Sequence, residues 1–200
     1  MMNRLNNYLL VLGLTTFAFA CGTGNNTSEE GTSADQEMTT NEPEASAMET
    51  SSAVAVLSGA SGANVTGTAT FTALDNGKVR LVMDVENLSA GEHALHLHEN
   101  GDCSAADATS AGGHWNPTDD PHGERGEGEH HSGDIDNMVV GEDGVGSLEM
   151  EVEGWSIGDG SRSDIVNKAV IIHAGADDFT SQPSGAAGAR VACGVIQAGS

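Results

Sequence analysis

The sequence predicts an all-β domain, an antiparallel sandwich or flattened barrel of about eight strands with two long loops. Three observations predict it. Apolar residues alternate with polar ones in several windows, the period of a half-buried strand. The 200 residues include 27 glycines and only 4% aromatics, a composition suited to turns and bulges. No window carries the spacing of a long amphipathic helix.

The strands fall near 54–58, 64–74, 78–87, 92–98, 134–140, 145–153, 167–173 and 190–196. In the second, Ala69, Phe71 and Ala73 alternate with threonines. Asp75, Asn76 and Gly77 then form a turn signal that joins it to the third as a hairpin. In the third, Val79, Leu81, Met83 and Val85 interleave with Arg80, Val82, Asp84 and Glu86. In the sixth, Leu148, Met150 and Val152 interleave with Glu149, Glu151 and Glu153. Two stretches lack strand character, 99–133 and 174–189. Loops of that length in a compact domain are usually functional.

The residues before the domain read differently. One positive charge, Arg4, precedes an apolar run from Tyr8 to Ala20. The run is short for a membrane span and fits a signal peptide over 1–20. It ends Ala18, Phe19, Ala20, Cys21, Gly22, which resembles a bacterial lipobox. That resemblance implies a lipid on Cys21 and an extracytoplasmic place in a bacterial envelope, facing the periplasm or on the outer membrane. The alternative is a plain export signal. Residues 22–52 contain seven acids, no bases and no Val, Ile, Leu, Phe, Trp or Tyr. Such a stretch cannot bury enough apolar area to offset ordering it, so 21–52 is expected to be a disordered acidic tether. The folded domain is then expected over 53–200.

Thirty acids against seven bases give a formal charge of −23. That argues against nucleic acid and anionic membrane surfaces as partners, because both need a cationic footprint. Membrane association is expected only through the anchor.

All eight histidines lie at position 93 or later. His96 and His98 are two apart on a predicted strand, so they share a face and can grip one ion. His93 has the opposite parity. His114, His122, His130, His131 and Asp134 follow along the first long loop, and His173 closes the seventh strand. Neutral imidazole suits copper and zinc, and a carboxylate can complete a zinc site. Taken singly, any of these histidines reads as solvated or as a loose metal buffer.

The segments GEHALHLHENGDC, SAGGHWNP, HHSGDIDN, VIIHAGADD and GARVACGVI resemble the signatures of the Cu/Zn superoxide dismutase family in order and spacing, across 53–200. The resemblance implies a Greek-key, immunoglobulin-like sandwich. It implies copper on His96, His98, His114 and His173, and zinc on His114, His122, His131 and Asp134, with His114 shared. His131 rather than His130 keeps the family's spacing to the aspartate, which leaves His130 to solvent or a supporting role. Asp177 would link His96 to His122, and His93 would be structural. Cys103 and Cys193 would form a disulfide, with free buried thiols the alternative. Arg190 would attract the superoxide anion.

The implied activity is conversion of two superoxide anions to oxygen and hydrogen peroxide by Cu(II)/Cu(I) cycling, with His114 as ligand and proton donor. The alternative is a non-catalytic copper- and zinc-binding envelope lipoprotein on the same fold. A homodimer is possible. Ala94 and Leu95 stand where the family usually has Gly and Phe. The acid-rich stretch 119–136 reads as a solvated loop face, with weak binding of extra metal the alternative. Residues 53–200 carry 23 acids and 6 bases, so long-range attraction of an anion has little cationic support. Arg190 and the metals are expected to supply most of it.

Overall fold

A computed structural model describes residues 51–199. The strands are β1 (Ser52–Gly59), β2 (Thr66–Ala73), β3 (Val79–Glu86), β4 (Gly91–His98), β5 (Asp134–Val140), β6 (Gly146–Val152), β7 (Ala169–His173), β8 (Arg190–Val195) and the two-residue β9 (Gln197–Ala198). One 3-10 turn, Thr109–Ala111, lies in the first long loop. The signal segment, Cys21 and nearly all of the proposed tether lie outside the described residues. Ser52 lies within β1, paired with Thr72.

The strands close in the order β1, β2, β3, β6, β5, β4, β7, β8 and back to β1, with every pairing antiparallel. β3 lies beside β6, and β4 lies between β5 and β7. The connections 87–90 and 153–168 therefore cross the ends, a Greek-key path. Two seams are thin. β5 meets β6 through Val140 and Gly146 alone, and β1 meets β8 through Ser58–Cys193 and Gly59–Ala192. Two four-stranded sheets joined at narrow seams make a flattened barrel, which is why sandwich and barrel describe the same object here. β9 extends the edge of β1 through Ala53–Ala198 and Val54–Gln197.

Between the sheets lie Phe71, Leu81, Met83, Leu95, Leu97, Ile135, Met138 and Ile172, all at most 1% exposed. Burying a side chain of this size contributes about 1.5–3 kcal/mol. β3 alternates buried and exposed along its length, whereas β7 is buried at every position and β4 from His93 onward. Loops cover the outer side of β4 and β7, and this covered face is where the histidines gather. A third connection without strand, 153–168, accompanies 99–133 and 174–189. It is tied by the bridge between Ser156 and Asp164.

The Cys103–Cys193 disulfide clips the first long loop to β8, with Cα atoms 5.8 Å apart across a sequence separation of 90. A closed loop of that length removes roughly 4–5 kcal/mol of chain entropy from the unfolded state.

Candidate metal centre

His96 and His98 project from β4 to one face, and β7 lies alongside through the pairs Leu95–Ile172, His96–Ile171 and His98–Ala169. An irregularity after Ile172 sets His173 opposite Arg190 of β8. The first long loop returns to β4 at His114, which bridges His98. Its main chain docks there. Trp115 N–H donates to Leu97 O at 2.8 Å, Gly133 N–H to Trp115 O at 2.8 Å, and Leu97 N–H to Gly133 O at 2.8 Å. Gly133 permits this approach, because a Cβ there would sit 2.3 Å from Leu97 O.

Two donor clusters result. One donor atom each from His96, His98, His114 and His173 lies within 4.8 Å of the others, and the same holds for His96, His114, His122 and Asp134. His131 adjoins the second cluster, its Nδ1 3.2 Å from His114 Nδ1 and 3.3 Å from Asp134 Oδ1. Asp134 Oδ1 is 2.9 Å from His114 Nδ1, and its Oδ2 is 3.0 Å from His122 Nδ1. Donors of a tetrahedral zinc with bonds near 2.0 Å stand about 3.3 Å apart, and the contacts of His131 with His114 and Asp134 and of Asp134 with His114 and His122, at 2.9–3.3 Å, are close to that spacing. His96 enters the second grouping only by proximity. Its Nε2 is engaged by Asp177, which leaves Nδ1 for the first cluster.

Five buried ring nitrogens make no hydrogen bond: His96 Nδ1, His98 Nε2, His114 Nε2, His122 Nδ1 and His173 Nε2. Leaving one buried polar atom unpaired costs about 1–3 kcal/mol. Four of them, on His96, His98, His114 and His173, belong to the residues of the first cluster, and the fifth, His122 Nδ1, lies beside Asp134 in the second. An imidazole set with one carboxylate is the donor chemistry of copper and zinc. His114 takes part on both sides, with Nε2 among the unpaired atoms and Nδ1 beside Asp134.

The other ring nitrogens are fixed. His98 Nδ1 donates to Gly112 O at 2.9 Å, and His173 Nδ1 to Gly188 O at 3.2 Å. His96 Nε2 donates to Asp177 Oδ2 at 2.7 Å, and His122 Nε2 to Asp177 Oδ1 at 2.9 Å. Such partners set tautomer and ring orientation. Gly185, at φ +65°, closes over Asp177, and a Cβ there would come within 1.7 Å of Oδ1. His93 lies outside both clusters. Its Nδ1 donates to His173 O at 2.7 Å and its Nε2 contacts Ser89 O at 2.9 Å. His130 is also outside, half-buried, with Nδ1 3.0 Å from Gly128 O.

Burial dominates the protonation of the metal-free set. It lowers His98 to about 2, against the hydrogen bond to Gly112 O and with help from His114, Arg190 and His173. It lowers His173 to about 3, helped by His96, and His114 to about 4, against the hydrogen bond to Asp134. For Asp134, burial acts upward, but the hydrogen bonds from His114 and His131 and the charge of His122 hold the carboxyl well below its usual range. Asp177 is lowered likewise, with burial outweighed by His96, His122 and the Phe179 N–H. Neutral imidazoles and ionised carboxylates are the ligating forms.

A cavity of about 420 Å³ opens onto the first cluster, lined by His98, His114, His131, His173, Ser184 and Arg190 among others. The Arg190 guanidinium is braced by two carbonyls, Ala108 O and Gly112 O, each at 2.7 Å. Both lie in the loop that Cys103 anchors. Ala94 and Leu95 are fully buried beside His96.

Four supporting residues were not singled out from the sequence. The Gln182 amide spans the main chain of His122, accepting from N–H at 3.0 Å and donating to O at 2.8 Å. Asn137 does the same for Asp177, at 2.8 and 3.0 Å. Arg125 and Trp155 hold carbonyls of the segment that carries His131 and Asp134. The one available signal was Arg125, the single Lys or Arg within the acidic stretch 119–136.

Residues 65–196 match the family described as copper/zinc superoxide dismutase. A superoxide dismutase [Cu-Zn] of Deinococcus radiodurans is 38% identical over 147 residues, covering 67% of this chain and 78% of that protein. One from Caulobacter vibrioides is 37% identical over 151 residues, covering 73% and 86%. The superoxide dismutase-like protein YojM of Bacillus subtilis is 40% identical over 105 residues, covering 51% and 54%. Among solved structures, a SOD-like protein from Bacillus subtilis superposes with a TM-score of 0.65 at 34% identity, covering 71% of this chain and 96% of that one. The clock protein EA4 superposes with a TM-score of 0.65 at 35% identity, covering 74% and 94%.

Proposed function

The chain belongs to the copper/zinc superoxide dismutase family, and on that premise we propose how its own residues divide the work and where the work is done. The activity is superoxide dismutation, and the cofactors are copper and zinc. Copper is assigned to His96, His98, His114 and His173, and zinc to His114, His122, His131 and Asp134. The observation that carries the assignment is the set of unpaired ring nitrogens, four on the residues of the first cluster and one, His122 Nδ1, in the second. Copper, when bound, supplies the one-electron couple, and zinc contributes charge without redox chemistry.

The chain's residues supply the rest. Arg190 presents a fixed positive charge in the cavity beside His98 and His173, where an anion the size of superoxide enters. Its two carbonyl partners keep the guanidinium from swinging away. His114 holds a proton at Nε2 in one half of the cycle and releases it to the product in the other. Over the cycle two superoxide anions and two protons give one oxygen and one hydrogen peroxide, the second proton coming from solvent. Asp177 holds the imidazoles of His96 and His122 in the tautomers that leave each Nδ1 bare for a metal.

The enzyme is proposed to act in a bacterial envelope, anchored by lipid on Cys21 after removal of residues 1–20. The apolar run to Ala20 and the cysteine after it support this reading. Labelling the expressed chain with a radiolabelled fatty acid checks it: Cys21→Ser should lose the label. A chain labelled equally with and without Cys21 contradicts the anchor. A second reading, a metal-binding protein without catalysis, is favoured by the dismutase-like name of the Bacillus relative. It predicts full copper and zinc loading with no turnover.

A further inference from the structure

The zinc half of the centre hangs on a loop, and its main chain is held by a side chain that ligates nothing. Arg125 turns inward from the acidic stretch 119–136. Its Nε donates to Asp134 O at 2.7 Å, and one Nη donates to Ser132 O and reaches His131 O at 3.5 Å. The guanidinium also stacks over the Trp155 ring, 5.3 Å from its centroid. Trp155 Nε1 donates to the same Ser132 O at 2.7 Å. The indole is 4% exposed and packs against Phe71 at 6.0 Å, inside the barrel core. A continuous path therefore runs from the core through Trp155 and Arg125 to the carbonyls of 131–134.

A largely buried guanidinium usually faces a carboxylate, because burying its charge without an anion is costly. Here its hydrogen-bond partners are three carbonyls of one four-residue segment. A rigid planar fork fixes such a segment better than a flexible ammonium does. Both ends of the segment carry proposed zinc ligands, His131 and Asp134, whose donor atoms stand 3.3 Å apart.

We propose that Arg125, braced by Trp155, is a positioning residue for zinc: it sets the main chain of 131–134 so that His131 and Asp134 meet at ligating distance. The inference rests on the zinc assignment given above. Arg125 makes no hydrogen bond to a copper ligand and is linked to the shared His114 only through the side chains of His131 and Asp134, so its effect falls first on zinc.

The test uses the full chain with Arg125→Gln, Arg125→Lys and Trp155→Phe, the last of which keeps an aromatic ring against Phe71. Zinc and copper dissociation constants are measured by chelator competition, and cobalt(II) placed in the zinc site reports its geometry by visible absorption. Arg125→Gln should weaken zinc about 10–100-fold, the usual effect of losing a ligand-orienting partner. Copper affinity should stay at the wild-type value, and the cobalt bands should shift. Arg125→Lys should recover part of the loss, and Trp155→Phe should give a smaller one. Wild-type zinc affinity and an unshifted cobalt spectrum in Arg125→Gln overturn the proposal, as does equal weakening of both metals. If Arg125→Gln does not fold, Arg125→Lys and Trp155→Phe decide by the same criteria. His131→Ala separates the two levels: if it keeps zinc, the ligand assignment has failed, whereas if it loses zinc while the Arg125 variants keep it, only this inference has failed.

Discussion

The halves of the centre assigned above, by proposal, to copper and zinc are built by opposite means. On the copper side, His96, His98 and His173 stand on β4 and β7, strands buried by the core beneath and the loops above. Their backbones are fixed by sheet pairing, and their rings need one carbonyl or carboxylate each to set orientation. On the zinc side, His114, His122 and His131 come from the loop 99–133, and Asp134 is the first residue of β5. No ladder holds His122, so Gln182 spans its main chain and Asp177 holds its ring, both reaching across from 174–189. A site on strands inherits its precision from the fold, whereas a site on a loop needs tying side chains of its own.

The contrast predicts effects of graded size. The largest falls on Arg190, proposed to serve the reaction rather than the metals. Arg190→Glu should lower kcat/KM by roughly 100-fold or more, the scale for losing a preorganised electrostatic contact. Both metals should remain at full content by elemental analysis. Unchanged kcat/KM would remove Arg190 from the mechanism.

Next is the clip shared by the fold and the copper side. Cys103→Ser should cost about 2–5 kcal/mol in denaturant unfolding. It should also lower activity, because the loop presenting Ala108 O and Gly112 O to Arg190 is released. A stability loss with full activity would separate the disulfide from Arg190.

Asp177 joins the halves, so Asp177→Ala should weaken copper and zinc together, each about 10-fold or more. Gln182→Leu should weaken zinc alone, by a smaller factor, since it removes the hold on the His122 main chain and leaves the ring to Asp177. Chelator competition for each metal reads both variants. Equal loss of copper in Gln182→Leu would contradict the division.

A further expectation concerns the metal-free protein. Burial lowers His98, His173 and His114 from 6.5 to about 2, 3 and 4 in the folded state. Below pH 6.5 the unfolded chain therefore binds protons that the folded chain refuses, and stability falls as pH drops toward 4. The lowered Asp134 acts in the same direction below its unfolded value of 3.8. The thermal midpoint of the metal-free chain should decline steadily from pH 7 to pH 4, and a flat profile would contradict the buried neutral imidazoles.

The smallest effect is the response to salt. Residues 53–200 hold 23 acids and 6 bases, and exposed charges beyond about 8–10 Å are screened at physiological ionic strength. The bimolecular rate with superoxide should therefore rise or stay level as salt is added. A steep fall would show long-range cationic steering.

What the sequence made legible follows the same division. β3 and β6 were readable because one face of each meets solvent, so their residues alternate. β4 and β7 are covered on both faces, and there the histidines gave position rather than periodicity. The ligand types, the bridging Asp177 and the Cys103–Cys193 pair could be named because they carry distinctive chemistry at spacings that resemble a family. Gln182, Asn137 and Trp155 could not, because a side chain that holds a distant carbonyl or N–H leaves no local pattern. Arg125 sat in a stretch that composition alone presents as a solvated acidic face, yet its guanidinium is turned inward. The connection 153–168, which carries Trp155, is a third long stretch without strand, and its run of Gly158, Asp159, Gly160 and Ser161 is a loop signal the sequence does carry.

The decisive measurement is superoxide dismutation by the full chain after loading with copper and zinc, with metal content determined on the same sample and on His98→Ala. Turnover should rise in proportion to copper up to a single copper per chain. His98→Ala should lose copper and turnover while keeping zinc. Full loading with both metals and no turnover would mean that the centre binds without catalysing.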